Sequence, residues 1–129
     1  MGLIAIESLD HLVLTVRDTA AAVRFYESLG FTHRLFNGGR HALYSGSIKI
    51  NLHEAGREFE PKAALPAPGS ADICLITKGS ARDTLDELAK QGIPVLLGPV
   101  ARSGAVCPIE SVYVRDPDGN LIEISSRAA

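Results

Sequence analysis

The sequence predicts an α+β protein built from two tandem βαβββ modules. The same order of elements occurs twice in 129 residues: a strand, a helix ended by a glycine, and further short strands. The helix-ending glycines Gly30 and Gly92 are 62 residues apart (92 − 30). His11 and Asp72, each near the start of a strand, are 61 residues apart (72 − 11). Two independent landmarks with nearly the same offset indicate an internal duplication.

Module one spans about residues 5–53. Residues 9–16 have the composition of a strand, and Asp18 is typical of a helix N-cap. Gly30 then ends the helix. Apolar residues at i, i+3, i+4 and i+7 define one helical face: Ala22, Phe25, Tyr26 and Leu29. Three further extended segments follow: residues 31–36, 41–45 and 47–53.

Module two spans about residues 71–126 and repeats this order. It begins with a strand, and Ser80 with Asp83 three residues on predicts a capped helix start. Gly92 closes the helix. The apolar face of this helix carries Ala81, Leu85 and Leu88. The extended segments that follow are residues 93–97, 111–115 and 120–125.

The segment between the modules, residues 54–70, contains three prolines and mixed charge, which is typical of a linker. The whole chain, residues 1–129, is therefore expected to form one domain of two modules.

Composition predicts an ordinary soluble globular protein. Apolar residues make up 46%, charged residues 22%, and the net charge is −2. No basic cluster suits nucleic acid or a membrane surface, and no apolar run approaches the roughly 18 residues of a membrane span. Cys74 and Cys107 form neither a disulfide framework nor a metal knuckle. We expect a reducing, cytoplasmic setting, and neither nucleic acid nor membrane as a partner.

Strand alternation singles out four polar side chains. The first and last predicted strands of each module have one aliphatic face and one face with a conspicuous polar residue. These polar residues are His11, His53, Asp72 and Glu123. Imidazole and carboxylate groups are ligands of divalent metals, and a buried carboxylate needs a partner. The alternation leaves a second interpretation open, in which these are polar groups of a pocket or surface without a metal.

Three motifs resemble the vicinal oxygen chelate superfamily. They are Asp-His-Leu-Val-Leu-Thr-Val at 10–16, Phe-Tyr-Glu-Ser-Leu-Gly-Phe at 25–31, and Arg-Asp-Pro-Asp-Gly-Asn-Leu-Ile-Glu-Ile at 115–124. That superfamily contains glyoxalase I, extradiol dioxygenases, methylmalonyl-CoA epimerase, and the fosfomycin and bleomycin resistance proteins. The chain is most similar to its uncharacterised glyoxalase domain-containing and virulence-protein branch, through Ile-Asn-Leu-His-Glu, Pro-Gly-Ser-Ala-Asp and Gly-Pro-Val.

The resemblance implies an open, cupped mixed sheet around a metal, with ligands at His11, His53, Asp72 and Glu123. The sequence departs from the known branches. Glyoxalase I usually has a carboxylate where His53 stands and a histidine where Asp72 stands, and extradiol dioxygenases also have a histidine at the Asp72 position. We therefore predict a triad of His11, His53 and Glu123. Asp72 is either a fourth ligand or an acceptor that orients a ligating imidazole.

The implied function is that of a metal-dependent lyase or isomerase. Its small substrate would chelate Ni, Zn, Mn, Co or Fe through adjacent oxygens. Glu123 or Asp72 would be the catalytic base. An Fe(II) extradiol-type dioxygenase is one alternative, because two histidines and a carboxylate form its ligand set. A metal-free small-molecule binding or resistance protein is another.

Three further residues are candidates for substrate binding. Asn51 shares the strand face of His53, and Tyr113 lies on the face opposite Val112 and Val114. Arg102 belongs to a polar stretch expected to be a flexible loop. The resemblance also implies a homodimer.

Overall fold

The computed structural model describes residues 2–127. It divides into two compact units, the first ending at Pro66 and the second beginning at Ala67. Each unit contains one helix and one four-stranded sheet of mixed direction. The predicted α+β class and the duplicated βαβββ order are therefore confirmed. No helix in the described range is both long and apolar enough to cross a membrane.

Unit 1 contains four strands and one helix. Their bounds are β1 His11–Val16, α1 Thr19–Ser28, β2 Thr32–Phe36, β3 Arg40–Ser45 and β4 Ile48–Glu54. The strand order in sheet 1 is β1-β4-β3-β2. β1 and β4 run parallel, whereas the β2–β3 and β3–β4 pairs are antiparallel.

The two ends of helix α1 are set by Asp18 at its start and Gly30 past its end. The Asp18 carboxylate accepts a hydrogen bond of 3.1 Å from the backbone N–H of Ala21. Past the last turn, Gly30 has a φ of 100°, which favours glycine. The predicted apolar face is buried at Ala22 and Tyr26 and covers sheet 1. The apolar core of sheet 1 beneath it consists of Leu14, Val16, Leu43, Ile50 and Leu52.

Unit 2 repeats the arrangement. Its elements are β5 Asp72–Thr77, α2 Ala81–Gln91, β6 Leu97–Ser103, β7 Pro108–Arg115 and β8 Leu121–Arg127. The strand order in sheet 2 is β5-β8-β7-β6, again with the first and last strands of the module parallel. Ser80 and Asp83 form the predicted capping box, and Gly92 ends α2 in the left-handed conformation.

The polar stretch around Arg102 differs from the sequence prediction. We expected a flexible loop, but β6 continues through Ser103. Arg102 pairs with Ile109 across the antiparallel ladder with β7. Backbone hydrogen bonds to a neighbouring strand can outweigh the low strand propensity of polar residues. The loop prediction, which considered only the local sequence, was therefore wrong for this segment.

The Asp-Pro-Asp-Gly turn before β8 is braced by its own side chains. One oxygen of Asp116 accepts 2.9 Å hydrogen bonds from the backbone N–H groups of Asp118 and Asn120, and the other accepts from the Asn120 amide at 2.7 Å. The Asn120 side-chain oxygen in turn accepts from the Ala71 N–H at 2.9 Å. The turn therefore fixes the starts of both β5 and β8.

Candidate functional site

Each sheet has one face covered by the helix of its unit and one face turned away from it, the helix-free face. In β1, Leu14 and Val16 are buried, whereas His11 and Val13 on the opposite face are exposed. The same alternation places Asn51 and His53 on the helix-free face of sheet 1. On sheet 2 it places Asp72, Cys74, Tyr113 and Glu123 there.

Glu123 is held by two serines on its own sheet. Ser111 Oγ donates a hydrogen bond of 2.5 Å to Glu123 Oε2, and Ser125 Oγ lies 3.4 Å from the same oxygen. The two hydroxyls are 2.7 Å apart, and both serines are fully buried. Buried hydroxyls with satisfied bonds cannot easily rotate away. The arrangement fixes Oε2 and leaves Oε1 as the oxygen available to a ligand.

Cys74 completes this hydrogen-bonded group. Its sulfur lies 3.3 Å from Ser125 Oγ, and its backbone is paired with Glu123 in the β5–β8 ladder. Partial burial of the sulfur raises the pKa of the Cys74 thiol, and the negative charge of Glu123 also contributes in that direction. The thiol form, which can donate to Ser125, is thereby favoured at neutral pH.

Asp72 lies on the same face as Glu123, one strand away. It pairs with Leu121, two residues before Glu123. The two α-carbons are therefore about 8 Å apart, from one strand spacing and two residue rises. Asp72 is exposed, and within residues 2–127 its carboxylate has no hydrogen-bond or ion-pair partner. It is the free carboxylate of this face.

His11 has an orienting carboxylate that the sequence analysis did not identify. Its Nδ1 lies 2.8 Å from the Asp10 carboxylate. In the neutral ring, Nδ1–H donates to that carboxylate, and Nε2 is left with its lone pair. Histidines that bind metals are commonly oriented by such a bond. The only sequence signal was that Asp10 directly precedes His11.

Strand register separates His53 from His11. His11 pairs with Lys49, whereas His53 pairs with Thr15, four residues further along the parallel ladder. The α-carbons of the two histidines are then about 14 Å apart, and strand side chains stand roughly perpendicular to the sheet. Ligand atoms of one metal ion must lie within about 4 Å of one another. Sheet 1 therefore does not bring the predicted pair His11 and His53 together.

The same register brings Asn51 close to His11. Asn51 lies two residues beyond the ladder partner of His11, as Glu123 lies two residues beyond the ladder partner of Asp72. In the duplicated architecture, Asn51 is thus the counterpart of Glu123. Its side-chain Oδ1 is buried and has no hydrogen-bond partner within the described residues. A buried amide oxygen of this kind can accept a hydrogen bond from a ligand or coordinate a cation.

His53 is surrounded by different groups. Its ring packs edge-to-face on Phe59 with centroids 5.5 Å apart, and the Arg40 guanidinium lies 4.0 Å from the centroid of the Phe59 ring. Burial lowers the pKa of His53 from its ordinary value of 6.5, and the positive charge of Arg40 lowers it further. The negative charge of Glu58 opposes this shift. The result is a neutral imidazole at pH 7.

Tyr113 and Arg102 meet on the helix-free face of sheet 2. Arg102 Nε donates a hydrogen bond of 3.0 Å to Tyr113 Oη, and its guanidinium carbon lies 5.5 Å from the centroid of the ring. Tyr113 is paired with Glu123 across the β7–β8 ladder. The Tyr113 phenol, which is bonded to Arg102, therefore lies beside the candidate ligand Glu123 on the sheet.

Each unit carries side chains with nitrogen or oxygen donors on its helix-free face. Within residues 2–127, no three or more His, Cys, Asp or Glu side chains are grouped to bind a metal ion. Unit 1 offers an oriented imidazole at His11 and an unpartnered amide oxygen at Asn51. Unit 2 offers Asp72 and Glu123. Nitrogen and oxygen donors of this kind suit first-row divalent ions.

The chain is similar to known proteins over nearly its whole length. The model of the Glyoxalase/Bleomycin resistance protein/Dioxygenase superfamily matches residues 8–124. The chain is 54% identical over 121 residues to Virulence protein STM3117 of Salmonella typhimurium, covering 93% of this chain and 84% of that protein. It is 53% identical over 123 residues to Glyoxalase domain-containing protein RDO1 of Mycosarcoma maydis, covering 95% and 70%. The crystal structure of the Salmonella protein matches with a TM-score of 0.95 at 52% identity, over 97% of this chain and 100% of that one. The chain therefore belongs to the Glyoxalase/Bleomycin resistance protein/Dioxygenase superfamily.

Proposed function

We propose that the chain is a metal-dependent enzyme of the glyoxalase-like lyase or isomerase type. Its substrate would be a small molecule that chelates the metal through adjacent oxygens. The observation that carries this proposal is the support of Glu123: two fully buried serines hold its carboxylate on the helix-free face of sheet 2. No Lys or Arg neutralises Glu123 within the described residues. A fixed, unneutralised carboxylate is suited to a dication.

Two metal ligands are proposed first: His11, which would bind through Nε2, and Glu123, which would bind through Oε1. Asn51 and His53 compete for a further position. The buried, unpartnered Oδ1 of Asn51 and its place in the strand register favour Asn51, whereas the neutral imidazole of His53 favours His53. A bound divalent ion would supply Lewis-acid polarisation of a substrate oxygen.

Asp72 is the proposed catalytic base, with a role as a further ligand as the alternative. Its carboxylate is exposed and is not engaged in hydrogen bonds within residues 2–127. It is therefore free to take a proton from the carbon next to a substrate carbonyl. Glu123 is less suited to proton transfer, because Ser111 and Ser125 both hold its Oε2 as an acceptor.

Asn51, Arg102 and Tyr113 are proposed to contact the substrate. Arg102 holds the Tyr113 hydroxyl in position through its Nε–H. The hydroxyl keeps its own proton to donate to a substrate oxygen, because it accepts the bond from Arg102. If Asn51 is not a metal ligand, its unpartnered Oδ1 is an acceptor for a substrate hydroxyl.

Metal analysis of the purified full-length chain tests the proposal. After loading with each divalent ion and removal of excess, we expect about one ion per site in the wild type, since ligand sets of this kind bind stoichiometrically. His11→Ala and Glu123→Gln should lose most of the bound metal. Glu110→Gln is the matched control, because Glu110 is an exposed carboxylate of β7 on the other face of sheet 2.

The identity of the metal separates the candidate reactions. Nickel, zinc, manganese or cobalt without oxygen consumption supports the lyase or isomerase. Iron with oxygen consumption on addition of a catechol would support the alternative, an Fe(II) extradiol-type dioxygenase. No stoichiometric metal under replete conditions would refute both, and it would favour a metal-free small-molecule binding protein. Equal metal content in Glu123→Gln and the wild type would refute the ligand assignment.

We also propose that the chain works as a homodimer in a reducing, cytoplasmic setting. Cys74 and Cys107 are free thiols, which supports a reducing setting. Light scattering coupled to gel filtration tests the dimer, and a monomeric mass at micromolar concentration would refute it. Microscopy of the tagged chain in its source cell tests the location.

A further inference from the structure

A cavity opens at the edge of sheet 1, beside the β2–β3 pair. Its volume is about 490 Å³, and it is lined by Gly30, Thr32, Arg34, Tyr44, Ser45 and Gly46. A Cβ built on Gly30 or Gly46 would meet nothing within 4 Å. The two glycines therefore leave backbone accessible to a ligand. None of these residues belongs to the proposed metal site.

The charge on this side of sheet 1 is positive. The Arg34 guanidinium carbon and the Lys49 ammonium nitrogen each lie 5.7 Å from the centroid of the Tyr44 ring. Neither cation has a carboxylate partner within the described residues. The positions that share the helix-free face of sheet 1 with Tyr44 include no Asp or Glu. Two unneutralised cations around one aromatic ring attract an anion.

The cavity also supplies neutral hydrogen-bond donors. Thr32 and Ser45 contribute hydroxyls, and Tyr44 contributes a phenol. A guanidinium binds the two oxygens of a carboxylate or phosphate with parallel hydrogen bonds, and hydroxyls complete the shell of an oxyanion. Thr32, Tyr44, Lys49 and His11 are successive partners in one row across the sheet. Tyr44 is therefore about 10 Å, or two strand spacings, from His11.

We propose that this cavity binds the carboxylate or phosphate group of a small-molecule ligand, with Arg34 as its main anchor. The site requires no metal, so it goes beyond the proposed function. The cavity lies close enough to His11 that one extended substrate could contact Arg34 and His11 at the same time.

The test is a titration of the metal-stripped full-length chain, followed by amide chemical shifts. The two probes are inorganic phosphate and succinate, at low ionic strength. We expect saturable shifts confined to residues 30–34 and 44–46. Arg34→Gln should weaken binding about tenfold, the effect of losing one charge-assisted contact. Arg24→Gln, which removes the same charge from the exposed side of α1, should leave the affinity unchanged.

Arg34→Lys guards against a folding artefact, since it keeps the charge but loses the two-pronged geometry. It should bind more weakly than the wild type and more tightly than Arg34→Gln. Saturation by phosphate alone identifies a phosphorylated or phosphonate ligand, and saturation by succinate alone identifies a carboxylate. Absence of saturation with both probes overturns the proposal. An equal loss in Arg24→Gln and Arg34→Gln also overturns it, because only net charge would then matter.

Discussion

Ser111 donates a hydrogen bond of 2.5 Å to Glu123 Oε2 from a fully buried position on the neighbouring strand. This bond joins the interior of unit 2 to the carboxylate proposed to bind the metal. Ser111 lies directly opposite Ser125 in the β7–β8 ladder, so the two serines support Glu123 from one row of the sheet. The support of the carboxylate is thus part of the sheet itself.

Replacing Ser111 with alanine should weaken both folding and metal binding. Loss of a hydrogen bond to a charged group should lower the free energy of unfolding by about 1.5–3 kcal/mol. Metal affinity should fall about 10-fold or more, the usual cost of removing a group that orients a ligand. Urea denaturation and calorimetric titration measure the two effects. Ser47→Ala, an exposed serine in the β3–β4 turn, is the control and should change neither. Unchanged metal affinity in a folded Ser111→Ala protein would contradict the positioning role.

Asn51 and His53 can be separated by their effects on metal affinity. If Asn51 is the ligand, as the strand register indicates, Asn51→Ala should weaken metal binding about 10-fold or more. His53→Ala should then change metal affinity by no more than about twofold. The two variants are controls for each other, because both residues lie on the same face of β4. Competition with a fluorescent chelator gives both dissociation constants. The reverse order would favour His53 and require a different arrangement of the donors.

Stability below neutral pH should report on His53. Its pKa is lowered in the folded chain, so above pH 6.5 the imidazole is neutral in both the folded and unfolded states. As the pH falls below 6.5, the unfolded chain takes up this proton first, and the free energy of unfolding decreases until the folded-state pKa is passed. Urea denaturation of the metal-free protein at pH 7.5 and at about pH 5 should show a smaller loss for His53→Gln than for the wild type. An identical loss of unfolding free energy in the wild type and His53→Gln would contradict the lowered pKa of His53.

Gly69 should be far less tolerant of alanine than Gly119. Both residues have positive φ, 81° and 89°, so both substitutions share a backbone strain of about 1–2 kcal/mol. A Cβ on Gly69 would also lie 2.6 Å from the carbonyl oxygen of Asp118, whereas one on Gly119 would meet nothing within 4 Å. Gly69→Ala should therefore cost at least about 1 kcal/mol more than Gly119→Ala, since overpacking costs of this order are usual. Urea denaturation followed by far-UV circular dichroism measures the difference. Equal costs would show that the loop shifts to accept the methyl group.

The superfamily, and the similarity to its virulence and glyoxalase domain-containing proteins, were predicted from short motifs, and both predictions are confirmed. The structure gives a physical reason for two of these motifs. Pro-Gly-Ser-Ala-Asp and Asp-Pro-Asp-Gly-Asn lie far apart in the chain but touch through Gly69 and Asp118 and through Ala71 and Asn120. Gly69 has no room for a Cβ because the Asp118 carbonyl lies against it, and the Asn120 side chain accepts the hydrogen bond of the Ala71 N–H.

The sequence by itself determined which residues are helical, which strand faces are apolar, and which polar residues stand on the opposite faces. Caps, glycine positions and periodicity are local properties, so Asp18, Gly30, Ser80 and Gly92 could be interpreted without a fold.

Only the tertiary structure decided how those strands are aligned. Pairing Val13 with Asn51 makes Asn51 the counterpart of Glu123, and pairing Ser111 with Ser125 places two hydroxyls at Glu123. Register depends on contacts between distant segments, and shifting it by two residues preserves the pattern of alternating faces. Alternation could therefore select the correct face for His53 while leaving its distance from His11 undetermined.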